Sequence, residues 1–157
     1  MSKQSRDEIV AAIANAARAS QNQTDLLDEA ACEMLGINRT DHRCIDILDR
    51  HRRMTAGELA EASGLTTGAV TAVLDRMERA GYARRVRDTV DRRRVLVELT
   101  PKAHRAVGRI YGPLGDAYVK QMARYTTDQL ALILEFLEHG HEVASAHVDR
   151  VRALKRS

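Results

Sequence analysis

Residues 55 to 100 contain the feature that most restricts the fold of this chain: two short helices joined by a glycine turn and followed by an arginine-rich hairpin. Thr55 and Glu58 have the spacing of a capping box, in which each side chain bonds the backbone N–H of the other residue. Gly64 can adopt the positive φ that a sharp turn between helices requires. This order of elements predicts a winged helix-turn-helix.

The second of these helices has one apolar face. It begins after Thr66 or Thr67, which can cap its first turn, and it ends at Gly81. Its apolar residues recur at the 3.6-residue spacing of a face that packs on a core: Val70, Val73, Leu74 and Met77. The other faces are left for solvent or for a ligand. In a helix-turn-helix this second helix enters the major groove of DNA.

The hairpin carries a concentrated positive charge. Segments 82–87 and 93–100 have the pattern of strands, and residues 88–91 have the pattern of a turn. Residues 84–94 contain six arginines and two aspartates, a local formal charge of +4 in a chain whose net charge is +3. A basic hairpin beside a helix-turn-helix predicts phosphate binding. Guanidinium groups suit this role because they bind phosphate through two hydrogen bonds or enter a narrow minor groove.

We therefore expect both elements to contribute to one DNA-binding surface. The threonines approach base edges, Arg76 and Arg79 contact phosphates, and Arg92 or Arg93 places the wing against or in the minor groove. The full set of expected DNA-binding residues is Thr66, Thr67, Gly68, Thr71, Arg76, Arg79, Arg87, Arg92 and Arg93. Asp91 and Arg93, two residues apart, are expected to brace the wing by an ion pair. The alternatives are an ordinary αα-hairpin and a solvated basic hairpin that binds nothing.

The same region resembles the MarR (multiple antibiotic resistance regulator) family. The most specific mark is Asp91-x-Arg93, then five residues, then Leu99-Thr100. The other matching residues are Leu59-Ala60, Gly64-Leu65, Val70-Thr71, Asp75-Arg76-Met77-Glu78, Gly81-Tyr82 and Arg85. The resemblance covers about residues 35 to 105 well, and the flanking helices by arrangement only.

This resemblance implies a mainly α fold with a minor β part. Residues 1–40 would form N-terminal dimerisation helices, residues 41–100 the winged helix-turn-helix, and residues 101–157 C-terminal dimerisation helices, all in one continuous domain. It further implies a homodimeric transcription regulator, here expected to be a repressor, that binds double-stranded DNA at a palindromic promoter site. A small-molecule effector would release it, from a pocket placed by analogy near His42, Ile45, Ile110 and Tyr111.

The segments that flank the winged region are predicted to be helical. Ser5 and Glu8 form another capping box, which opens a helix to about residue 20, and the polar residues 21–24 are expected to interrupt it. Further helices are expected at about 25–35 and 41–52. A helix that starts after Thr100 is expected to kink or break at Pro113. A last helix then runs from about residue 127 to residue 154.

The length and the apolar stripe of that last helix predict a dimer. A helix of about 27 residues is roughly 40 Å long, longer than a domain of this size covers by itself. Its apolar stripe consists of Leu130, Ile133, Leu134, Leu137, Ala144, Val148, Val151 and Leu154. A second copy of the chain across a two-fold axis is the simplest cover, and it would place two recognition helices about 34 Å apart, at successive half-sites. The alternative is a monomer whose last helix folds back.

The cysteines and histidines allow two other interpretations. Cys32 and Cys44 are expected to be buried apolar residues of a cytosolic protein, but a redox-responsive regulator that senses oxidant through Cys32 or Cys44 is the alternative function. His139, His141 and His147 lie on different faces of the last helix, so three ligands from one chain do not converge on a metal. A metal site shared across the dimer stays open.

The motifs and the composition of the chain argue against several other functional classes. The chain has no glycine-rich phosphate loop, nucleophile elbow or metal box, so we expect neither an enzyme nor a bound cofactor. The charged N-terminal segment and the absence of a continuous apolar stretch predict a cytoplasmic protein that does not contact the membrane. A protein that organises DNA without sequence preference would explain the basic wing but not its focus beside a helix-turn-helix.

Overall fold

The computed structural model describes residues 4–154, which form six helices and three strands. In chain order these are α1 (Arg6–Leu35), α2 (Arg39–His51), β1 (Arg53–Thr55), α3 (Ala56–Ser63), α4 (Thr67–Arg79), β2 (Ala83–Arg87), β3 (Val95–Leu99), α5 (Pro101–Met122) and α6 (Thr127–Leu154). The mainly α fold with a small sheet agrees with the prediction. The chain divides after Ile110 into two units, and the expected dimerisation boundaries at residues 40 and 100 stay a prediction.

The first helix is longer than expected. Ser5 and Glu8 form the predicted capping box, with the Glu8 N–H donating to Ser5 Oγ at 3.3 Å, but α1 then continues to Leu35. The expected interruption at residues 21–24 is wrong. Gln, Asn and Thr cost only a few tenths of a kcal/mol relative to Ala in a helix, and the Thr24 hydroxyl donates back to the Ser20 carbonyl at 3.1 Å.

A three-stranded antiparallel sheet supports the wing. Its order is β1-β3-β2, so β3 lies in the centre. Glu98 of β3 is directly opposite Arg53 of β1 on one side and Arg84 of β2 on the other. The strand β1 escaped the sequence-based prediction because its three residues are too few to show a period of two.

The core of the first unit lies where α2, α3, α4 and the sheet meet. Its largest fully buried side chains are those of Leu48, Leu59, Leu74 and Met77. Tyr82 closes one edge of this core, and its hydroxyl donates to the Leu35 carbonyl at 3.1 Å. Helix α4 and the hairpin of β2 and β3 are therefore attached to a core made mostly of aliphatic side chains, in agreement with the aromatic content of 3%.

The second unit contains the end of α5 and all of α6. The helix α5 passes through Pro113 without interruption. Of the two expected outcomes, the break is therefore wrong and the kink stays a prediction. Residues 112–116 are exposed, and water can satisfy the carbonyl groups that a proline leaves unpaired. No residue of α6 is buried, and its exposed apolar side chains include Leu132, Leu134, Phe136, Leu137, Val143 and Leu154.

Within residues 4–154, every helix is too short or too polar to cross a lipid bilayer.

Candidate nucleic-acid interface

The turn between α3 and α4 has the predicted local geometry. The Thr55 N–H donates to Glu58 at 2.7 Å, and the Glu58 N–H donates to Thr55 Oγ1 at 3.2 Å. Gly64 has φ 67° and ends α3. Thr66 then caps α4 by accepting the Ala69 N–H at 3.3 Å. These contacts fix where α4 begins and which of its faces is buried.

The buried face of α4 leaves a row of small polar residues exposed. Val70, Val73, Leu74 and Met77 are buried as predicted. Thr66, Thr67, Gly68 and Thr71 are exposed, as is Arg79. The Thr71 hydroxyl donates to the Thr67 carbonyl at 3.0 Å. Its oxygen keeps lone pairs that can accept an N–H from a cytosine or adenine amino group.

The geometry of Arg76 differs from that of a free surface residue. Its Nε and Nη2 donate to the two carboxylate oxygens of Asp41 on α2, at 3.1 and 2.6 Å. Asp41 is buried, with 3% of its surface exposed. The hydrogen bond to Asp41 raises the pKa of Arg76. Arg76 therefore links the recognition helix to α2, and any phosphate contact that it makes starts from this position.

The wing turn is built by two aspartates, in a way that corrects one expectation. Asp91 accepts the backbone N–H of Arg93 at 3.0 Å, and Asp88 accepts that of Val90 at 2.8 Å. Among residues 4–154 no ion pair joins Asp91 to Arg93, so the predicted pairing of their side chains is wrong. The strand begins at Val95 rather than at residue 93, which leaves Arg93 in the turn.

Three of the six wing arginines pair with carboxylates of the protein. Arg84 donates to Glu98 at 2.7 Å. Arg85 pairs with Asp75 at 2.9 Å and with Glu78, both on α4. Arg94 donates to Glu58 of α3 at 2.9 Å. The pairs of Arg85 and Arg94 attach the hairpin to α4 and α3, and the pair of Arg84 joins β2 to β3 within the hairpin.

The other three arginines are Arg87, Arg92 and Arg93. All three are exposed, and in the part of the chain that the structure describes their side chains form no hydrogen bond or ion pair. Their charge is thus not neutralised within the fold. The hairpin whose strand β2 packs against α4 thus carries three unpaired guanidinium groups at its tip.

The carboxylate of Glu98 was missed by the sequence analysis. Glu98 is buried to 8% exposure between Arg53, 2.5 Å from its Oε2, and Arg84. Burial alone would raise the pKa of Glu98, but the hydrogen bonds from Arg84 and Arg53 outweigh burial and hold the pKa below its usual value. The available signal was a single carboxylate inside the apolar segment Val95–Leu99, because a charge in such a strand needs a partner.

Residues expected near an effector pocket fall into different parts of the structure. Ile45 is buried in the core, whereas His42 and Ile110 are half-buried. Tyr111 begins the second unit. An effector pocket near these four residues stays a prediction.

Both cysteines are buried free thiols. Burial raises the pKa of Cys32, and it raises the pKa of Cys44 to about 11. A thiol that stays protonated is a poor nucleophile toward peroxide. Among the described residues no cluster of three His, Cys, Asp or Glu side chains has the geometry of a metal site, and this includes the histidines of α6.

Comparison with known proteins agrees with this arrangement. The sequence model of the MarR family matches residues 37–95. The chain is 33% identical over 150 residues to YcgE, an HTH-type transcriptional regulator of Bacillus subtilis. The matched region covers 96% of this chain and 97% of YcgE.

Solved structures that share the fold include those of MepR and NadR. The S. aureus MepR F27L mutant bound to an oligodeoxyribonucleotide has 17% identity and a TM-score of 0.56, over 84% of this chain and 97% of that one. NadR in complex with 4-hydroxyphenylacetate has 21% identity and a TM-score of 0.56, over 88% and 94%. At these identities the likeness concerns the fold alone.

Proposed function

The chain belongs to the MarR family of DNA-binding transcription regulators, and we propose that it acts as a cytoplasmic homodimeric repressor of a promoter with a palindromic site. The observation that carries this proposal is that the six wing arginines divide into an unpaired group and a paired group. Arg87, Arg92 and Arg93 are exposed without a partner in the described chain, whereas the other three arginines hold the wing in place. Unpaired arginines on a well-anchored hairpin are suited to phosphate or minor-groove contact.

The recognition helix would supply sequence discrimination. The exposed threonines of α4 offer hydroxyl groups and methyl groups to base edges, and Gly68 allows close approach of the backbone. Position 72, next to Thr71, is alanine, so this surface has no long basic side chain at that point. We propose that Thr66, Thr67 and Thr71 read bases, while Arg79 and the three wing-tip arginines bind phosphates or the minor groove.

Dimerisation through the terminal helices would cover their apolar residues. In α1 the side chains of Ile9, Val10 and Ile13 are at least 44% exposed, and in α6 those of Leu134 and Leu137 are at least 56% exposed. Burial of such side chains stabilises an interface by about 25 cal/mol per Å². A symmetric dimer would also present two recognition helices to the two halves of a palindrome.

Release of DNA would follow from a small-molecule effector that prefers a form with wrongly spaced recognition helices. Such an effector weakens DNA binding only through its differential affinity for the two forms. NadR, which shares this fold, is known in complex with 4-hydroxyphenylacetate. The redox alternative is less favoured, because the thiols of Cys32 and Cys44 are buried and have raised pKa values.

The proposal is tested by fluorescence anisotropy with the intergenic DNA upstream of the protein's own gene. Scrambled DNA of equal length is the control, and both are titrated at two salt concentrations. We expect tight binding to the first DNA at two chains per site and weak, salt-sensitive binding to the second. Equal affinity for both DNAs would contradict a specific repressor acting at this site.

A further inference from the structure

Arg52, between α2 and β1, has an unfavourable backbone conformation. Its φ is 68° and its ψ is −59°, and among residues 4–154 it is the one non-glycine residue with positive φ. The conformation is close to that of a γ-turn, which is strained for a residue with a Cβ. The Arg52 N–H donates to the Leu48 carbonyl at 2.9 Å, and glycine would make the same bond without strain. What glycine would not provide is the guanidinium group.

The Arg52 side chain borders a groove of about 350 Å³ beside the sheet. Arg53, Arg84 and His104 also line it, and Leu99 and Pro101 give it an apolar part. Strained backbone that persists in a fold is concentrated at functional sites. A strained arginine at the edge of a groove with two further arginines therefore suggests a binding site.

The groove has more positive than negative charge. Glu98 is its one carboxylate, and it is shared between Arg53 and Arg84. Its three guanidinium groups and one carboxylate give a formal charge of +2, counted without His104, whose Nδ1 lies 3.2 Å from Asp49 Oδ1. In the described part of the chain, the Arg52 side chain has no hydrogen bond or ion pair.

The arginines that hold Glu98 also keep unused donors. A guanidinium has five N–H groups. Arg53 uses its Nε, and Arg84 uses its Nε and Nη2. Their side chains are 55% and 58% exposed, so the remaining N–H groups are accessible to a ligand. Carboxylate and phosphate groups match the spacing of paired N–H donors.

We propose that this groove binds a small oxyanion, either a phosphate or a carboxylate. Any carbon atoms attached to the bound group would rest on Leu99 and Pro101. Arg52 supplies the charge that the fold leaves unpaired, and Arg53 and Arg84 supply further donors. The site is formed by different residues from the unpaired arginines at the wing tip. It adds a ligand site to the function proposed above and does not depend on DNA binding.

The test is an NMR titration of the full-length protein with inorganic phosphate, and separately with acetate, at constant ionic strength. We expect saturable shifts of the backbone amides of residues 52–54, 84, 98 and 104, with millimolar affinity for at least one anion. Arg52→Gly removes the strain and the charge together, so we expect a higher Tm and an affinity about tenfold weaker. Arg50→Gln is the matched control, because Arg50 is an exposed arginine that pairs with Asp46 and does not line the groove.

The proposal is overturned by shifts that do not saturate, by shifts confined to residues 87–93, or by equal affinity in Arg52→Gly and the wild type. A duplex DNA titration distinguishes the source of the phosphate. If Arg52→Gly weakens DNA binding and lowers its salt dependence while neither small anion binds, Arg52 contacts a DNA phosphate and the small-oxyanion proposal is wrong.

Discussion

The guanidinium group of Arg76 and the carboxylate of Asp41 form two hydrogen bonds, 2.6 and 3.1 Å long, across the junction of α4 and α2. Asp41 is 3% exposed and Arg76 has 40% of its side chain exposed, so one partner is in the protein interior and the other extends toward solvent. This pair sets the position of the recognition helix relative to the helix behind it.

Replacement of Asp41 by Asn separates this positioning role from simple electrostatics. Asp41→Asn makes the protein more positive, which by charge alone would strengthen DNA binding. We expect weaker binding to specific DNA and a loss of about 1–2 kcal/mol in the free energy of unfolding, reduced by the exposure of Arg76. Thermal unfolding and DNA anisotropy measure the two effects.

Asp46→Asn, which changes the same charge on an exposed residue of α2, is the control. An Asp41→Asn protein that binds specific DNA more tightly than the wild type would argue against positioning.

Adjacent arginines of the wing are expected to behave differently on substitution. Arg93 has no side-chain partner in residues 4–154, whereas Arg94 pairs with Glu58. Arg93→Ala should lower the slope of log affinity against log salt by about 0.9 for one lost phosphate contact and leave the Tm unchanged. Arg94→Ala should lower the Tm and change the salt slope less. The same slope change in both variants would contradict the separation of the two roles.

Acid should destabilise the winged unit through Glu98. The pKa of Glu98 is below its ordinary value of 4.5 in the folded state. The folded state therefore binds this proton less readily than the unfolded chain does, and the resulting stability is present above pH 4.5 and is lost as the pH falls below it. Tm measured against pH should decline in this acid range. Glu98→Gln should be less stable by about 1 kcal/mol near neutral pH and should show a smaller decline in acid. An unchanged acid decline in that variant would assign it to other carboxylates.

The Cys44 thiol should resist oxidation and alkylation in the folded protein. Its pKa is about 11, because burial disfavours the thiolate. The folded state holds this proton more tightly than the unfolded chain, whose thiol has the ordinary value of 9.0, so the corresponding stability is present below pH 9.0 and is lost as the pH rises toward about 11. Iodoacetamide labelling followed by mass spectrometry should show reaction only after denaturant is added. Fast labelling at pH 7, together with peroxide-sensitive DNA binding that Cys44→Ser abolishes, would instead favour a redox regulator.

A charge on the apolar surface of α6 should dissociate the proposed dimer. Leu137 is 60% exposed, and Leu137→Glu would place a carboxylate in the expected interface, where an unpaired charge is costly. Sedimentation velocity should then show monomers at concentrations where the wild type is dimeric. Val90→Glu adds the same charge at a 93% exposed residue of the wing and should leave the dimer intact. If Leu137→Glu sediments as a dimer, the interface lies elsewhere.

Local features of the winged region could be predicted from sequence because each depends on a few neighbouring residues. The capping box of Thr55 and Glu58, the turn at Gly64 and the buried face of α4 are determined by short-range spacing. The polar residues 21–24 were misinterpreted because a long helix tolerates their small propensity penalties. Pro113 costs a helix about 3 kcal/mol, but it lies in an exposed stretch of α5, where water can bond the carbonyl groups that the proline leaves unpaired.

Contacts between distant residues could not be predicted in this way. Arg76 and Asp41 are 35 positions apart, and Arg94 and Glu58 are 36 positions apart. Sequence alone shows six equivalent arginines in the wing, and only the fold shows which of them face a carboxylate. The strain at Arg52 likewise depends on how the chain leaves α2, which no pattern in the sequence indicates.

The division of the wing arginines between anchoring and unpaired residues has an evolutionary consequence. A substitution at Arg87, Arg92 or Arg93 removes no side-chain hydrogen bond or ion pair within the described fold, whereas one at Arg84, Arg85 or Arg94 removes an ion pair with a carboxylate. If the tip arginines bind DNA as proposed, lineages that inherit this hairpin can change how tightly the protein holds DNA by mutating the tip, and selection for a stable fold would not oppose those changes.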